Sequence, residues 1–258
     1  MKKKIEPSGY CYPNTMARAY LTALESIMGV NGFNAVLHLA HLSDLVAERP
    51  PDNWEREFDF AYLSALNAAL DDLFSTQGGS WLQARAGRAS FARALQGLEA
   101  LAGVRDASFA RLPLDAKVRI GVTTTAEVIN QVSDQVNRVD QRSEYYFYIV
   151  ERCPACWGRT ADQPVCSAVK GCLQEGLRWI TGGREYQVDE IECRRWVMKP
   201  ARSPSTRNLW IRGGMAASPR ARRGHLRCPF ERLKSVTTSA KVGMALHGQM
   251  NRDLHRER

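Results

Sequence analysis

Several things are missing from this chain, and each absence removes a class of protein. No apolar run approaches the roughly 18 residues that cross a bilayer, so a membrane span is not expected. The opening Met1-Lys2-Lys3-Lys4-Ile5 has no apolar stretch behind it, which reads as no secretory signal and as a cytoplasmic protein. No GxGxxG, P-loop, HExxH or GxSxG motif occurs, and no Ser-His-Asp set or other nucleophile–base pair can be assigned, so no catalytic residue is named. Neither a repeat nor a low-complexity run is visible before residue 194.

An even basic surface is also missing, although the net charge is +9. Residues 194–258 hold 16 Lys and Arg against 3 acidic residues, whereas residues 1–193 hold 20 against 24. The body is mildly acidic and one tail carries the whole excess. Basicity therefore does not make the body a nucleic-acid binder.

What is present is mainly helical periodicity, followed by strand composition. Met16, Tyr20, Leu24, Ile27 and Met28 repeat at helical spacing after Pro13-Asn14-Thr15, and Gly29 with Asn31-Gly32 ends that helix. Further helices are expected over 35–47, 55–74, 81–102 and 126–139, with a break at Gly78-Gly79. Residues 103–124 have no clear period. His38 and His41 are three apart on an apolar helix, a spacing that serves a pocket but is commoner for satisfied or solvent-facing histidines. Tyr145 to Val150 is aromatic and β-branched, which is strand composition. A cysteine loop follows, then a helix from Pro164-Val165-Cys166 to Ile180 closed by Gly182-Gly183, then a strand from Arg184 to Cys193. The expected class is α+β, with helices packed on a twisted antiparallel sheet and a helical N-terminal part.

Seven cysteines are present, and five fall between 153 and 193. Cys153-x-x-Cys156 is a chelate bite that suits one tetrahedral zinc. Cys166 sits at a helix start, where the dipole favours a thiolate. Cys193 ends the next strand and can return to the same point. The alternatives are an accidental CxxC among small core hydrophobes, or a thioredoxin-like redox pair, which would place the motif directly at a helix start. Cys172 lies elsewhere on its helix and reads as packing; Cys11 and Cys228 show no partner pattern.

The order of these features over 151–193, namely the cysteine loop, Pro-Val-Cys, a helix with Gly171 and Gly176, Gly182-Gly183, a strand and Glu192-Cys193, resembles the 4-vinyl reductase, or hydrocarbon-binding, domain family. Its members include a protein linked to bacteriochlorophyll biosynthesis and the sensor modules of phenol-responsive regulators, and it is related to small subunits of the vesicle-tethering TRAPP complex. The resemblance is clearest over 143–193. It implies helices on an antiparallel sheet around an apolar ligand pocket, a homodimer, and a zinc held by cysteines and an acidic residue. Carried over, Cys166 and Cys193 match best, with Cys153, Cys156 or Glu151 completing the set. Tyr146, Tyr148, Trp157 and Trp179 are the candidate pocket aromatics.

After Glu-Cys the family continues x-x-x-Gly-Asp-x-x-Cys-x-Phe, whereas this chain reads Arg194-Arg195-Trp196-Val197-Met198-Lys199. A one-base shift of reading frame accounts for this departure and for the charge break together. The Trp196 codon and the start of the Val197 codon, read one base earlier, force a glycine four residues after Cys193; the Met198 and Lys199 codons force a glutamate. The rival reading is a natural basic tail that binds nucleic acid or an anionic membrane.

The domain reading is therefore 1–142 as the helical front part, 143–193 as the cysteine-rich core and 194–258 as a basic, disordered tail. The functional expectation is a zinc-stabilised domain that binds a hydrophobic small molecule, with neither nucleic acid nor a membrane as its partner. The alternatives are a tetrapyrrole vinyl reductase or its accessory, and an interaction module like the tethering subunits.

Overall fold

The computed structural model describes residues 5–94, 107–143, 145–159, 164–192 and 195–200. Their order is β1 (Cys11–Pro13), α1 (Asn14–Leu39), α2 (Asp44–Ala47), β2 (Arg56–Asp59), α3 (Phe60–Ala94), α4 (Ala107–Arg111), α5 (Leu114–Val132), β3 (Val136–Arg142), β4 (Tyr145–Arg152), α6 (Ser167–Ile180), β5 (Tyr186–Glu192) and β6 (Arg195–Pro200). The class is α+β, as expected. A four-stranded sheet runs β3-β4-β6-β5 with every neighbouring pair antiparallel, and β1 pairs with β2 in a separate two-stranded ribbon. No helix among the described residues is long and apolar enough to cross a membrane.

The two long helices are each bent once. Helix α1 breaks at Gly29, whose φ of 74° suits a residue without Cβ. Helix α3 breaks at Phe74-Ser75, where Ser75 takes φ 62°. The expected break at Gly78-Gly79 is displaced by a few residues. Both glycines are helical, and Gly79 serves instead to let the chain fold back, since a Cβ there would lie 2.8 Å from the Asp71 backbone.

Four other expectations need correction. The helix expected over 35–47 stops at Leu39, and His41 turns the chain with φ 58° before the short α2. His38 is on the exposed side, with Nδ1 2.8 Å from the Ser43 hydroxyl. Residues 55–59 contribute a strand rather than a helix start. Helix α5 begins at Leu114 and ends at Val132, so 136–142 is strand and not the end of a helix. Residues 195–200, expected to belong to the disordered tail, form β6 between β4 and β5. Residues 95–102 of the expected fourth helix, and 201–258 of the tail, lie outside the described residues.

Two cores result, with α6 between them. One is helical, built on Tyr20, Leu24, Phe33, Leu37, Leu66 and Leu70, and it reaches Ala168 of α6. The other lies between the sheet, α5 and α6, with Val122, Tyr148, Val150, Leu177 and Val188. Helix α6 touches α3 through small residues. A Cβ on Gly171 would sit 1.9 Å from the Ala84 carbonyl oxygen, and one on Gly87 would sit 2.1 Å from that of Ala168. Its far end closes as sequence predicts: Gly182 takes φ 71°, and the Gly183 N–H donates to the Arg178 carbonyl at 2.7 Å, a Schellman closure.

Candidate functional site

The loop from β4 to α6 carries the cysteines. Strand β4 delivers Cys153 at its end, and the turn that follows is closed by the Arg159 N–H donating to the Cys156 carbonyl at 3.1 Å. Cys166 directly precedes α6, with its own carbonyl accepting from the Val169 N–H at 3.0 Å. These segments bring the Sγ atoms of Cys153, Cys156 and Cys166 within 4.8 Å of one another. Cys153 and Cys166 are buried with their sulfurs 3.6 Å apart; Cys156 is half-buried.

That spacing can be tested against a metal. Zinc–thiolate bonds of about 2.3 Å in a tetrahedron place ligand sulfurs about 3.8 Å apart. The observed 3.6 Å is close to that, and three sulfurs fill three tetrahedral positions. The donor set therefore fits zinc. Cys166 gains further from its position at the helix N-terminus, where the dipole favours a thiolate.

The acidic candidate is elsewhere. Glu151 pairs with Arg138 at 2.9 Å, both side chains about half exposed, and it is not in the thiol group. Alternation explains why. On β4, Tyr146, Tyr148 and Val150 point into the second core, so Glu151 does not share their face. On β5 the inward row is Tyr186, Val188 and then Glu190. Both carboxylate oxygens of Glu190 accept from the Cys166 N–H, at 2.9 and 3.2 Å. Sequence reasoning passed over Glu190, yet the signal was available: an acid continuing a buried apolar row of period two. Cys193 lies outside the described residues. Cys11, buried at the start of β1, is disulfide-bonded, which its isolated position in sequence did not suggest.

The candidate pocket aromatics fall in three places. Tyr146 and Tyr148 face the second core, where the Tyr146 hydroxyl donates to Asp115 at 2.9 Å. Burial, with that hydrogen bond second, pushes the Tyr146 phenol up to about 12; burial raises Tyr148 further still. Trp157 packs edge-on against Tyr10 at 5.2 Å, beside β1. Trp179 is partly buried on α6. A cavity of only about 10 Å³ lies between α3, α5 and α6, walled by Phe91, Val122, Cys172, Leu177 and Ile180, and none of the four aromatics lines it. Cys172 donates to the Gly87 carbonyl at 3.3 Å, and burial pushes its thiol up to about 11, so the packing role expected for it holds. The hydroxyl of Tyr186, on the inner face of β5, is buried without a partner among the described residues.

No protein-family model matches the chain, and no curated protein matches it. Solved structures with similarity include an oxygen-binding H-NOX domain related to soluble guanylate cyclases, in its oxygen complex: 12% identity and TM-score 0.46, covering 76% of this chain and 100% of that one. Two substituted forms of Tt H-NOX resemble it to the same degree, at 12% and 13% identity with TM-scores of 0.44 and 0.45 over the same shares of each chain.

Proposed function

We propose that the chain is a zinc-stabilised domain of the 4-vinyl-reductase type that binds a hydrophobic small molecule and acts as a sensor, in the cytoplasm and as a homodimer. The observation that carries the reading is the convergence of Cys153, Cys156 and Cys166 at the start of α6, beside Glu190. The three thiolates would hold the metal, with Cys193 as the expected fourth ligand, while the Glu190 carboxylate accepts from the Cys166 N–H. Bound there, zinc supplies folding energy, because the unfolded chain offers no preformed cage. The protein's part is geometric: β4 and α6 fix two ligands, and the helix N-terminus favours the charged form of one.

The ligand half of the reading is supported by the apolar inner face of the sheet and by the Tyr186 hydroxyl, which has no partner among the described residues and is the kind of group that a bound molecule's polar atom satisfies. A cavity of about 10 Å³ is far below the few hundred Å³ of a small-molecule pocket, so uptake requires α5 and α6 to separate.

Metal analysis of freshly purified protein tests the first half: about one zinc per chain is expected, and a fully stable, metal-free protein would count against it. For the second half, tryptophan fluorescence titrated with phenols and fatty acids should saturate; no saturable response to either class refutes ligand binding.

A further inference from the structure

A buried polar network ties the cysteine loop to α3 at two points. Asn67 Nδ2 donates to the carbonyl of Ala155, which lies between Cys153 and Cys156, at 3.4 Å. Arg159, three residues past Cys156, pairs with the Asp71 carboxylate, and both side chains are only 10% exposed. Asn67 and Asp71 are one helical turn apart on α3, so the same face meets both ends of the loop.

The network is itself braced. Gln83 Nε2, from beyond the bend in α3, donates to Asp71 Oδ1 at 2.8 Å and to the Asn67 carbonyl at 3.2 Å. Tyr20 of α1 donates to Asn67 Oδ1 at 2.8 Å. Gly79 packs directly on Asp71, where a Cβ would meet the carboxylate at 2.3 Å. The arrangement is costly: Arg159 Nη1 and Gln83 Oε1 are buried with no partner among the described residues. Two orphaned polar atoms beside a buried ion pair are a poor way to gain stability, because apolar side chains of the same volume would do as well or better. They are a reasonable way to fix the position of a loop.

We propose that Asp71, acting through Arg159 and seconded by Asn67 and Gln83, is the positioning residue of the Cys153–Cys156 chelate. It holds the loop against α3 so that the two thiols meet Cys166 before the metal arrives. The proposal rests on the metal reading above and adds the group that preorganises the site. Partners outside the ligand shell typically change metal affinity by 10–100-fold.

The test uses the full chain stripped of metal and titrated with cobalt(II), whose thiolate charge-transfer and ligand-field bands report ligand number and geometry, and with zinc against a competing chelator. The principal variant is D71N/R159M. It removes both charges together, so no unpaired ion is left buried. Q83M removes one brace and leaves the ion pair, and D140N, in an exposed pair with Arg142, is the control. D71N/R159M should bind zinc 10–100-fold more weakly than wild type, with an altered cobalt spectrum, while denaturant unfolding of the metal-free forms shows that both are folded. Q83M should fall between them, and D140N should match wild type. If D71N/R159M and Q83M bind zinc as tightly as wild type with the same cobalt spectrum, the positioning role is overturned and the metal site stands. A wild-type chain that takes up neither cobalt nor zinc overturns the metal reading and this role with it.

Discussion

Gly171→Ala separates two physical effects that predict opposite signs. Position 171 is inside α6, and alanine is favoured over glycine in a helix interior by about 1 kcal/mol. Propensity alone therefore predicts a more stable protein. Packing predicts the reverse. The new Cβ would lie 1.9 Å from the Ala84 carbonyl oxygen, and real Cβ atoms essentially never come within 3.0 Å, so α3 and α6 must part by at least about 1.1 Å. The obstacle is backbone on a packed helix, which cannot rotate away as a side chain can. Overpacking of this kind costs about 1–3 kcal/mol and sometimes more. We expect a net destabilisation of about 2 kcal/mol, since the opposing backbone places the clash at the upper end of that range. Because α6 carries Cys166 at its start, the same displacement should open the 3.6 Å gap to Cys153 and weaken metal binding. Denaturant unfolding of the metal-free protein measures the first effect, and chelator competition the second. Gly32→Ala is the control: its Cβ would meet Met28 at an ordinary 3.4 Å, so propensity should act alone and stabilise by up to about 1 kcal/mol. A Gly171→Ala protein as stable as the control would refute the close-contact argument.

Cys166→Ser should lower zinc content and, with it, the unfolding midpoint by on the order of 10 °C, read by metal analysis and calorimetry; a full complement of zinc in the variant would remove Cys166 from the site. Burial raises the Cys172 thiol from 9.0 to about 11, so at pH 8 it stays protonated. In metal-stripped protein at pH 8, mass-spectrometric mapping should then find Cys172 alkylated more slowly than Cys156 although both are half-buried, and faster as the pH rises; early labelling of Cys172 would contradict the raised thiol. Tyr186→Phe deletes a buried hydroxyl that has no partner among the described residues, so the ligand-free protein should be unchanged or up to about 1 kcal/mol more stable; a clear loss of stability would show the hydroxyl to be satisfied after all.

The elements easiest to read were those with one strong period and clear punctuation. Helix α6 has an opening Pro-Val-Cys, an apolar stripe and paired glycines, and the structure returns it from Ser167 to the expected end at Ile180. Strand β3 was hidden because it is an edge strand. Edges carry polar residues that discourage further pairing, and Arg138, Asp140 and Gln141 fit that need, while Asn137 is buried and bonded to Asn130 of α5. Its two valines, 136 and 139, are three apart and mimic a helical stripe once Val128 and Val132 are counted with them. Strand β2, Arg56-Glu57-Phe58-Asp59, has a single apolar residue and exists because β1 pairs with it. At the site, the three thiols were legible from chelate spacing and a helix start. Glu190 was legible only as the continuation of the Tyr186, Val188 row and was passed over because Glu151 lay closer in sequence to the CxxC. The aromatic composition of this strand suits a pocket wall or ordinary core alike, and Tyr148 is among the most deeply buried side chains in the described residues.

The charge break and the fold disagree about where the domain ends, and truncation decides between them. Composition changes at Arg194, yet β6 begins at Arg195 and lies inside the sheet, with β4 on one side and β5 on the other. Its register joins the two halves of the site: Trp196 stands opposite Tyr148 of β4 and opposite Glu190 of β5. A chain ending at Glu192 loses four residue pairs with β4 and six with β5. At about 0.5–1.5 kcal/mol net per ladder hydrogen bond, this is comparable to the whole stability of a typical domain, about 5–15 kcal/mol. It also releases β5, and with β5 the Glu190 carboxylate that accepts from Cys166. A chain ending at Pro200 keeps every one of those pairs and discards a segment whose first part, to about residue 225, is dominated by Arg, Gly, Ser and Pro and offers little apolar area to bury. The 1–200 chain should therefore be soluble and take up metal like the full protein, whereas the 1–192 chain should be insoluble or lack a cooperative unfolding transition. A stable, metal-binding 1–192 chain would show that β6 is dispensable and that the charge break marks the true edge of the domain.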